Sequence, residues 1–284
     1  MKLLVEVSNK NNLCLDIVDG VILGLLDYAV ETVCFFSLDE VIKIANNTDK
    51  EVFVKINKNL VNEDIEKVKD ILLKLEGSKV KGIFFYDLAL LQLKKELNLN
   101  ISLVWNQTHM VNNTRTCDYY YDKGVKYALL GKEITLEEKE KIIKNSKIIS
   151  MVEVVSRPSI GFSYRNLVTN YYKDLGITGN NKLIVREKVS DNLVEVKEDN
   201  NGTSFYLDKI TNGTSIIKNL NEYGCSYIII REYGIDCFKE LVEDTKEYIL
   251  DNCKNDSYIE KYKKLGDSTN FFFKKTIYKV KKNG

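Results

Sequence analysis

Short runs of β-branched and aromatic residues alternate along this chain with amphipathic stretches of helical period, and polar turns separate them. The pattern predicts strands over Leu3 to Val7, Gly20 to Leu25, Glu51 to Ile56, Gly82 to Tyr86, Ser102 to Trp105, Tyr127 to Leu130 and Lys147 to Val155, with a short extended piece between Thr32 and Phe36. Helices are predicted in the intervals. One starts at a Ser37 cap with Glu40 in the reciprocal position and runs through Asn46. A second starts at an Asn62 cap and runs to Glu76, with Ile65, Val68, Ile71, Leu72 and Leu75 on one stripe. Others span Leu88 to Leu97 and Met110 to Lys123, and another begins at Thr135. From Arg157 to Ile210 the rhythm changes to short segments and turn signals: a loop around Pro158 and Gly161, then LVTNYY, KLIVRE, LVEVKED and TSFYL. This stretch reads as a small antiparallel insertion, a β-meander. The βα pattern then resumes with a helix over Ser215 to Glu222, a strand over Ser226 to Arg231 and a long helix over Cys237 to Asp251.

Eight parallel strands alternating with helices favour an α/β fold of the (β/α)8 TIM-barrel type over an open doubly wound sheet. The expected segments are 1–156 for the first seven βα units, 157–211 for the insertion, 212–254 for the last unit and 255–284 for an aromatic and basic tail (FFFKKTIYKVKK). Strand ends of a parallel barrel share one rim, where sites collect. Polar residues stand at those ends here: Asn57, Asp87, Asn106, Gln107 and His109, then Lys132 with Glu133, then Arg165 with Ser163, then Arg231 with Glu232.

Composition narrows the classes. At 284 residues and 44% hydrophobic content the chain can bury a large core. Its 42 basic and 41 acidic residues, interspersed to a net +1, argue against a dominating nucleic-acid surface while leaving room for a local basic patch. Glu6 interrupts the apolar start MKLLVEV, and no later apolar run approaches the roughly 18 residues of a membrane span, so a soluble cytoplasmic protein is expected. The six cysteines, Cys14, Cys34, Cys117, Cys225, Cys237 and Cys253, show no CxxC spacing and read as reduced, small apolar residues. Cys237 and Cys253 bracket a predicted helix, which at about 1.5 Å rise per residue holds them more than about 20 Å apart.

Candidate chemistry starts with His109, the single histidine. Any Ser-His or Cys-His system must use it, and a two-histidine metal site is excluded. Its plainer reading is a turn residue bonded to backbone. Asn106 and Gln107 can orient a substrate carbonyl or phosphate, or satisfy loop backbone. Lys55 and Glu153 stand inside otherwise apolar strands, and a buried charge requires a partner. Lys55 is expected to pair with Glu153 or Glu6; the alternatives are a lysine of shifted pKa for acid/base or Schiff-base work, and a carboxylate pair holding a divalent cation. Arg165 suits a carboxylate or phosphate, or is a solvated loop arginine. No HExxH, GxSxG, Walker or GxGxxG pattern occurs. The DYYYD run from Asp118 to Asp122 reads as helix surface and core before it reads as a base-stacking platform.

NQTHMVNN followed by DKGVKYALLGKEITLEE resembles a region of the collagenase-like peptidase family (unknown-type class U, family 32). There an aliphatic strand meets a polar turn, and the next strand follows Gly-Val and ends in a basic-Glu pair before a helix start. Lys132, Glu133, Ile134, Thr135, Leu136, Glu137 and Glu138 match that element one by one. KINKNLVNEDIE, GIFFYDLALL, Ser163 through Leu167, and Glu198-Asp199 with Gly202-Thr203 extend the resemblance from about Glu51 to Asp251. The resemblance implies a barrel and, by family name, proteolysis. The rim and in-strand residues then supply the candidates for such an activity: Glu133, Glu153 and His109 as catalytic, and Lys55, Asn57, Asp87, Asn106, Gln107, Arg165 and Arg231 as substrate contacts. It also implies an alternative: members similar to this chain serve oxygen-independent hydroxylation of RNA or quinone precursors with an iron–sulfur cluster held by cysteines. Those thiols fall mainly between the seventh strand and the last βα unit, whereas no cysteine stands here between Cys117 and Cys225, and the basic-Glu-Gly pattern of the last strand is degenerate at Ile230 to Gly234. The departure argues against a cluster and for a non-catalytic or accessory binding barrel. No cofactor is expected beyond an optional divalent metal, and the expected ligand is a peptide or an RNA-derived substrate.

Overall fold

A computed structural model describes residues 1–107, 110–188 and 191–266. Eight strands close a parallel ring: β1 (Lys2–Glu6), β2 (Gly20–Leu25), β4 (Glu51–Ile56), β5 (Val80–Phe85), β6 (Ser102–Trp105), β7 (Tyr127–Leu129), β8 (Ile149–Ser156) and β14 (Tyr227–Arg231). Each strand pairs with the next in parallel, and β1 closes the ring by pairing with both β14 and β2. The fold is a TIM-barrel-type α/β barrel. Two short strands sit on its rim: β3 (Phe35–Phe36) beside β2, and β13 (Thr211–Asn212) antiparallel to β8. Outside the ring pack α1 (Leu38–Asn47), α2 (Ile65–Glu76), α3 (Ala89–Glu96), α4 (Thr114–Asp122), α5 (Leu136–Asn145), α7 (Ile217–Tyr223) and α8 (Phe238–Leu250), with α9 (Ser257–Tyr262) laid against α8 through stacked Tyr258 and Tyr248 rings 4.5 Å apart. None of these helices is long and apolar enough to cross a membrane.

Strand side chains alternate faces, which sorts the core into two bodies. Outward residues such as Val5, Val54, Phe85, Val154 and Ile230 meet the helices, while Leu4, Ile22, Phe53, Phe84, Val104, Tyr127, Met151, Tyr227 and Ile229 fill the ring itself. Phe53 lies edge-on to Phe84, Tyr127 and Tyr227 at ring separations of 5.8–5.9 Å. That plug blocks the barrel below the mouth, so anything bound inside must sit above it.

The insertion is a four-stranded antiparallel sheet in the order β10 (Lys182–Arg186), β11 (Leu193–Asp199), β12 (Gly202–Leu207), β9 (Ser159–Ser163). Two parts differ from the pattern reading. LVTNYY is not extended: it belongs to a helix, α6 (Leu167–Asp174). The stretch around Pro158 and Gly161 is not all loop: directly after Pro158 it forms β9 at the sheet edge. Gly202 turns the β11–β12 hairpin at φ 135, and a Cβ there would lie 2.1 Å from the Ser163 carbonyl oxygen. Elsewhere α4 begins at Thr114 under an Asn113 cap rather than at Met110, and a single 3-10 turn (Asn62–Asp64) precedes α2. The Ser37 and Thr135 caps both close reciprocal boxes, with Glu40 and Glu138.

Replacing Phe53 by Ala removes the centre of the plug. Urea unfolding is expected to show a loss of about 3–5 kcal/mol with an unchanged denaturant slope; a loss below about 1 kcal/mol would mean that the ring is not filled as described.

Candidate functional site

The same two-residue period that fills the ring places charges one layer above the plug. On four strands an inward apolar residue is followed two positions later by an ionisable one: Leu4 by Glu6, Phe53 by Lys55, Met151 by Glu153, Ile229 by Arg231. Because the strands are parallel, these four meet beneath the mouth. Lys55 Nζ lies 3.0 Å from Glu6 Oε1, Arg231 Nη1 lies 3.4 Å from Glu6 Oε2, Arg231 Nε lies 2.6 Å from Glu153 Oε2, and Lys132 Nζ lies 2.8 Å from Glu153 Oε1. The result is one chain of alternating charge, Lys55–Glu6–Arg231–Glu153–Lys132. Ser156 Oγ also donates to Glu153, and Lys55 donates to the Glu31 carbonyl at 3.0 Å.

Burial and pairing oppose each other along this chain. Burial alone would raise the Glu153 carboxyl, but Arg231 and Lys132, helped by hydrogen bonds from Lys132 and Ser156, hold it down at about 2. Burial also works against ionisation of Glu6, and Arg231 and Lys55 overcome it, so this carboxyl too lies below its ordinary value. For Lys55 burial wins: its ammonium is pushed down, with Glu6 opposing and Arg231 adding to the effect.

Above the charges lies a cleft of about 350 Å³ between the rim and the insertion. Its barrel side is formed by Glu31, Asn57, Asn59, Tyr86, Lys132 and Glu133, and its other wall by β9 residues with Pro158 and Tyr164. Phe162 and Tyr164 meet edge to face at 5.0 Å. The wall is tied down at several points: the Asn59 amide donates to Tyr164 Oη at 2.7 Å, Ser159 Oγ to Glu31 Oε1 at 2.7 Å, and Asn201 Nδ2 to the Ala29 carbonyl at 2.9 Å. Below them Arg157 reaches Glu195 at 2.9 Å and Asp208 at 2.8 Å, and Tyr233 donates to Glu195.

The residues singled out from the sequence divide into groups. Lys55, Glu153 and Arg231 converge in the buried chain, and Lys55 takes Glu6, not Glu153, as its partner. Asn57 and Glu133 line the cleft, although the Asn57 amide is also occupied with Val30, at 3.0 Å from its N–H and 3.2 Å to its carbonyl. Asp87 serves as a local cap, accepting from the amides of Leu60 at 2.8 Å and Ala89 at 2.9 Å. Asn106 is buried at the end of β6, and Gln107 donates to the Tyr86 carbonyl at 2.7 Å. Arg165 is exposed on the insertion and does not line the cleft, because β9 carries the chain away from the rim before reaching it. His109 lies outside the described residues. Glu31, Tyr86 and Tyr164 join the site without having been singled out for it. Tyr86 was legible, two residues beyond inward-facing Phe84, whereas Glu31 comes from a loop in the left-handed region at φ 53, which no periodicity marks.

Cys117 and Cys225 are buried with their thiols pushed up to about 12 by desolvation, and Cys225 points at the Tyr227 and Ser150 carbonyls at the far end of the barrel. Among the described residues no group of three or more His, Cys, Asp or Glu side chains converges in a way that could hold a metal ion.

Architecture and site together define a parallel α/β barrel with a rim cleft roofed by a β insertion and floored by buried ion pairs. The chain belongs to peptidase family U32, whose model matches residues 17–264. It is 26% identical over 292 aligned positions to tRNA hydroxylation protein P2 of Bacillus subtilis (strain 168), covering 90% of this chain and 91% of that one. It is 32% identical over 112 positions to the uncharacterized protease MJ0090 of Methanocaldococcus jannaschii, covering 39% of this chain and 26% of that protein. Among solved structures it is similar to the U32 peptidase Mk0906, at 12% identity and a TM-score of 0.45, over 63% of this chain and 80% of that one.

Replacing Glu153 by Gln strands Arg231 and Lys132 beside a neutral amide. A loss of about 3–5 kcal/mol is expected at pH 7. Since the folded carboxyl sits at about 2 against an ordinary 4.5, its contribution is complete above pH 4.5 and disappears as pH falls toward 2. Denaturation curves of the two proteins should therefore converge over that window; a gap of constant size would mean that Glu153 is not held as an ion.

Proposed function

We propose that this chain is an RNA-binding component of tRNA hydroxylation, taking one unstacked nucleoside of tRNA into the rim cleft, and that it does not hydrolyse peptides. The observation that carries this reading is the seating of Glu153, whose oxygens are taken by Arg231 at 2.6 Å and Lys132 at 2.8 Å, with Ser156 donating as well. A carboxylate held at about 2 by Arg231 and Lys132 has too little proton affinity to act as a general base near neutrality. Glu153, paired on both oxygens and outside the cleft lining, is therefore a structural anion.

The remaining features suit recognition. The cleft volume of about 350 Å³ is in the range of small-ligand pockets. Tyr86, Phe162 and Tyr164 offer faces for a base to stack on, Lys132 offers a donor for a base carbonyl or phosphate, and Glu31 and Glu133 offer acceptors for ring or exocyclic N–H groups. The similarity to tRNA hydroxylation protein P2 spans nearly the whole of both chains, whereas that to the uncharacterized protease covers 39% of this one. Peptidase action remains the competing reading, with Glu133, the carboxylate of the basic-Glu pair that lines the cleft, as its base.

Gel-shift titration with total tRNA decides between them. Wild-type protein should bind tRNA, Lys132→Met should weaken binding about tenfold, equivalent to about 1.4 kcal/mol, and gelatin should remain uncut. Gelatin cleavage that disappears in Glu133→Gln, with no tRNA binding, would replace this reading by the hydrolytic one.

A further inference from the structure

We propose that Lys139 is a positioning residue that sets the shape of the cleft by holding the segment carrying Lys132 and Glu133. The proposal rests on the reading of the rim cleft as the binding site. Lys139 stands on α5, outside the ring, yet its side chain is 1% exposed and runs under the β7–α5 turn. Its Nζ donates to the Gly131 carbonyl at 2.8 Å and to the Ile134 carbonyl at 2.7 Å. Those two carbonyls bracket Lys132 and Glu133, the two residues that this turn gives to the cleft. The turn is fixed at its outer ends as well: the Gly131 amide donates to the Val111 carbonyl at 3.0 Å, and Thr135 caps α5. Between these points the backbone of 131–134 depends on the Lys139 ammonium for its two inward carbonyls, which would otherwise be buried acceptors without a donor.

A lysine is an unusual choice for this task. Burial pushes Lys139 down to about 7, with Glu138 on its own helix opposing. Among the described residues Glu138 of α5 acts on its charge, and Lys132 of the turn, Glu153 of β8 and Thr211 of β13 border the same small space. Ser or Thr is too short to reach both carbonyls from α5, and Arg is too bulky for a side chain so closely packed. A long stem with a compact head that donates in either protonation state meets the geometry. Because folding lowers the lysine from its ordinary 10.5, the unfolded chain binds more protons between about pH 7 and 10.5, and Lys139 makes stability rise across that window.

Lys139→Met keeps the stem and removes the donors. Three measurements test the assignment in the full-length chain. Hydrogen exchange of the amides of 131–134 should accelerate at least tenfold, while those of β7 and β8 change little. Affinity for total tRNA should fall about tenfold, and adding Lys139→Met to the Lys132→Met, Glu133→Gln pair should weaken binding no further, because Lys139 acts through those two residues. The stability difference between wild type and Lys139→Met should grow from pH 7 to 10. Should the Met variant not fold, Lys139→Gln, which retains two N–H donors on a shorter arm, should give smaller changes in exchange and affinity and the same pH-dependent stability difference, since Gln does not titrate. Unchanged exchange at 131–134, or a further affinity loss when Lys139→Met is added to the Lys132→Met, Glu133→Gln pair, would overturn the proposal. Absence of tRNA binding by the wild type would instead remove the RNA reading and leave the exchange measurement to decide on Lys139.

Discussion

Four barrel strands each carry one ionisable side chain into the same layer, and none of those side chains can be accommodated there without the others. Glu6 and Arg231 are neighbours only because β1 pairs with β14, and Arg231 meets Glu153 only because β14 pairs with β8. Lys55 enters from β4, across β2 from β1. Opening the ring at any of these seams would leave a buried charge without its counter-ion, at a cost of several kcal/mol. The attraction is not a simple gain. At 3 Å in an effective dielectric of 20 it amounts to about 5–6 kcal/mol per pair, of the order of the desolvation penalty it offsets. An apolar layer would serve stability as well. Ionic side chains at this depth therefore bear on what the mouth can hold.

The insertion turns that mouth into a cleft. A bare rim would leave the ion pairs in contact with bulk water, where their mutual attraction falls severalfold. β9 passes over them instead, fastened by Tyr164, Ser159 and Asn201 on the rim side and by Arg157, Glu195 and Tyr233 at its root. Glu195 is itself buried in β11, yet its carboxyl lies below the ordinary value: burial opposes, while Lys182, Tyr233 and Arg157 prevail. A wall held by such bonds keeps Phe162 and Tyr164 in fixed relation to Tyr86 across the opening.

Most of the barrel could be read from the chain because its elements are specified locally. The capping boxes at Ser37 and Thr135, the stripe on α2 and the apolar strands act within a few residues. Lys55 and Glu153 were conspicuous for the same reason, as lone charges in apolar strands. What escaped is what distant chain supplies. LVTNYY has the β-branched and aromatic content of a strand, but Glu198, some thirty positions away, accepts from the amides of Val168 and Thr169 at 2.9 and 3.1 Å and so caps the first turn of a helix. Arg165 looked like a rim residue because it follows the seventh strand closely; the turn of β9 into the second sheet, paired to β12, displaced it. Glu31 reaches the cleft through a loop whose left-handed geometry is held by Lys55 at its carbonyl and Ser159 at its carboxylate, neither of them nearby in sequence.

Within the ion-pair chain the members differ in how far they can respond to a ligand. Lys55 and Glu6 are enclosed, with side chains 1% and 6% exposed, and Arg231 bridges two carboxylates. Lys132 is different: its side chain is 23% exposed, it lines the cleft, and its partner Glu153 keeps Arg231 and Ser156 if Lys132 turns away. Moving Lys132 thus leaves Glu153 with Arg231 and Ser156, and Lys132 is the most exposed cation of the ion-pair chain. The ammonium can therefore exchange between an internal anion and a ligand at a cost near the difference of two similar contacts. Arg231 and the Ser156 hydroxyl then continue to favour the ionised form of Glu153. The ion-pair chain thus divides into an enclosed interior and one partly exposed cation, Lys132, at the cleft surface.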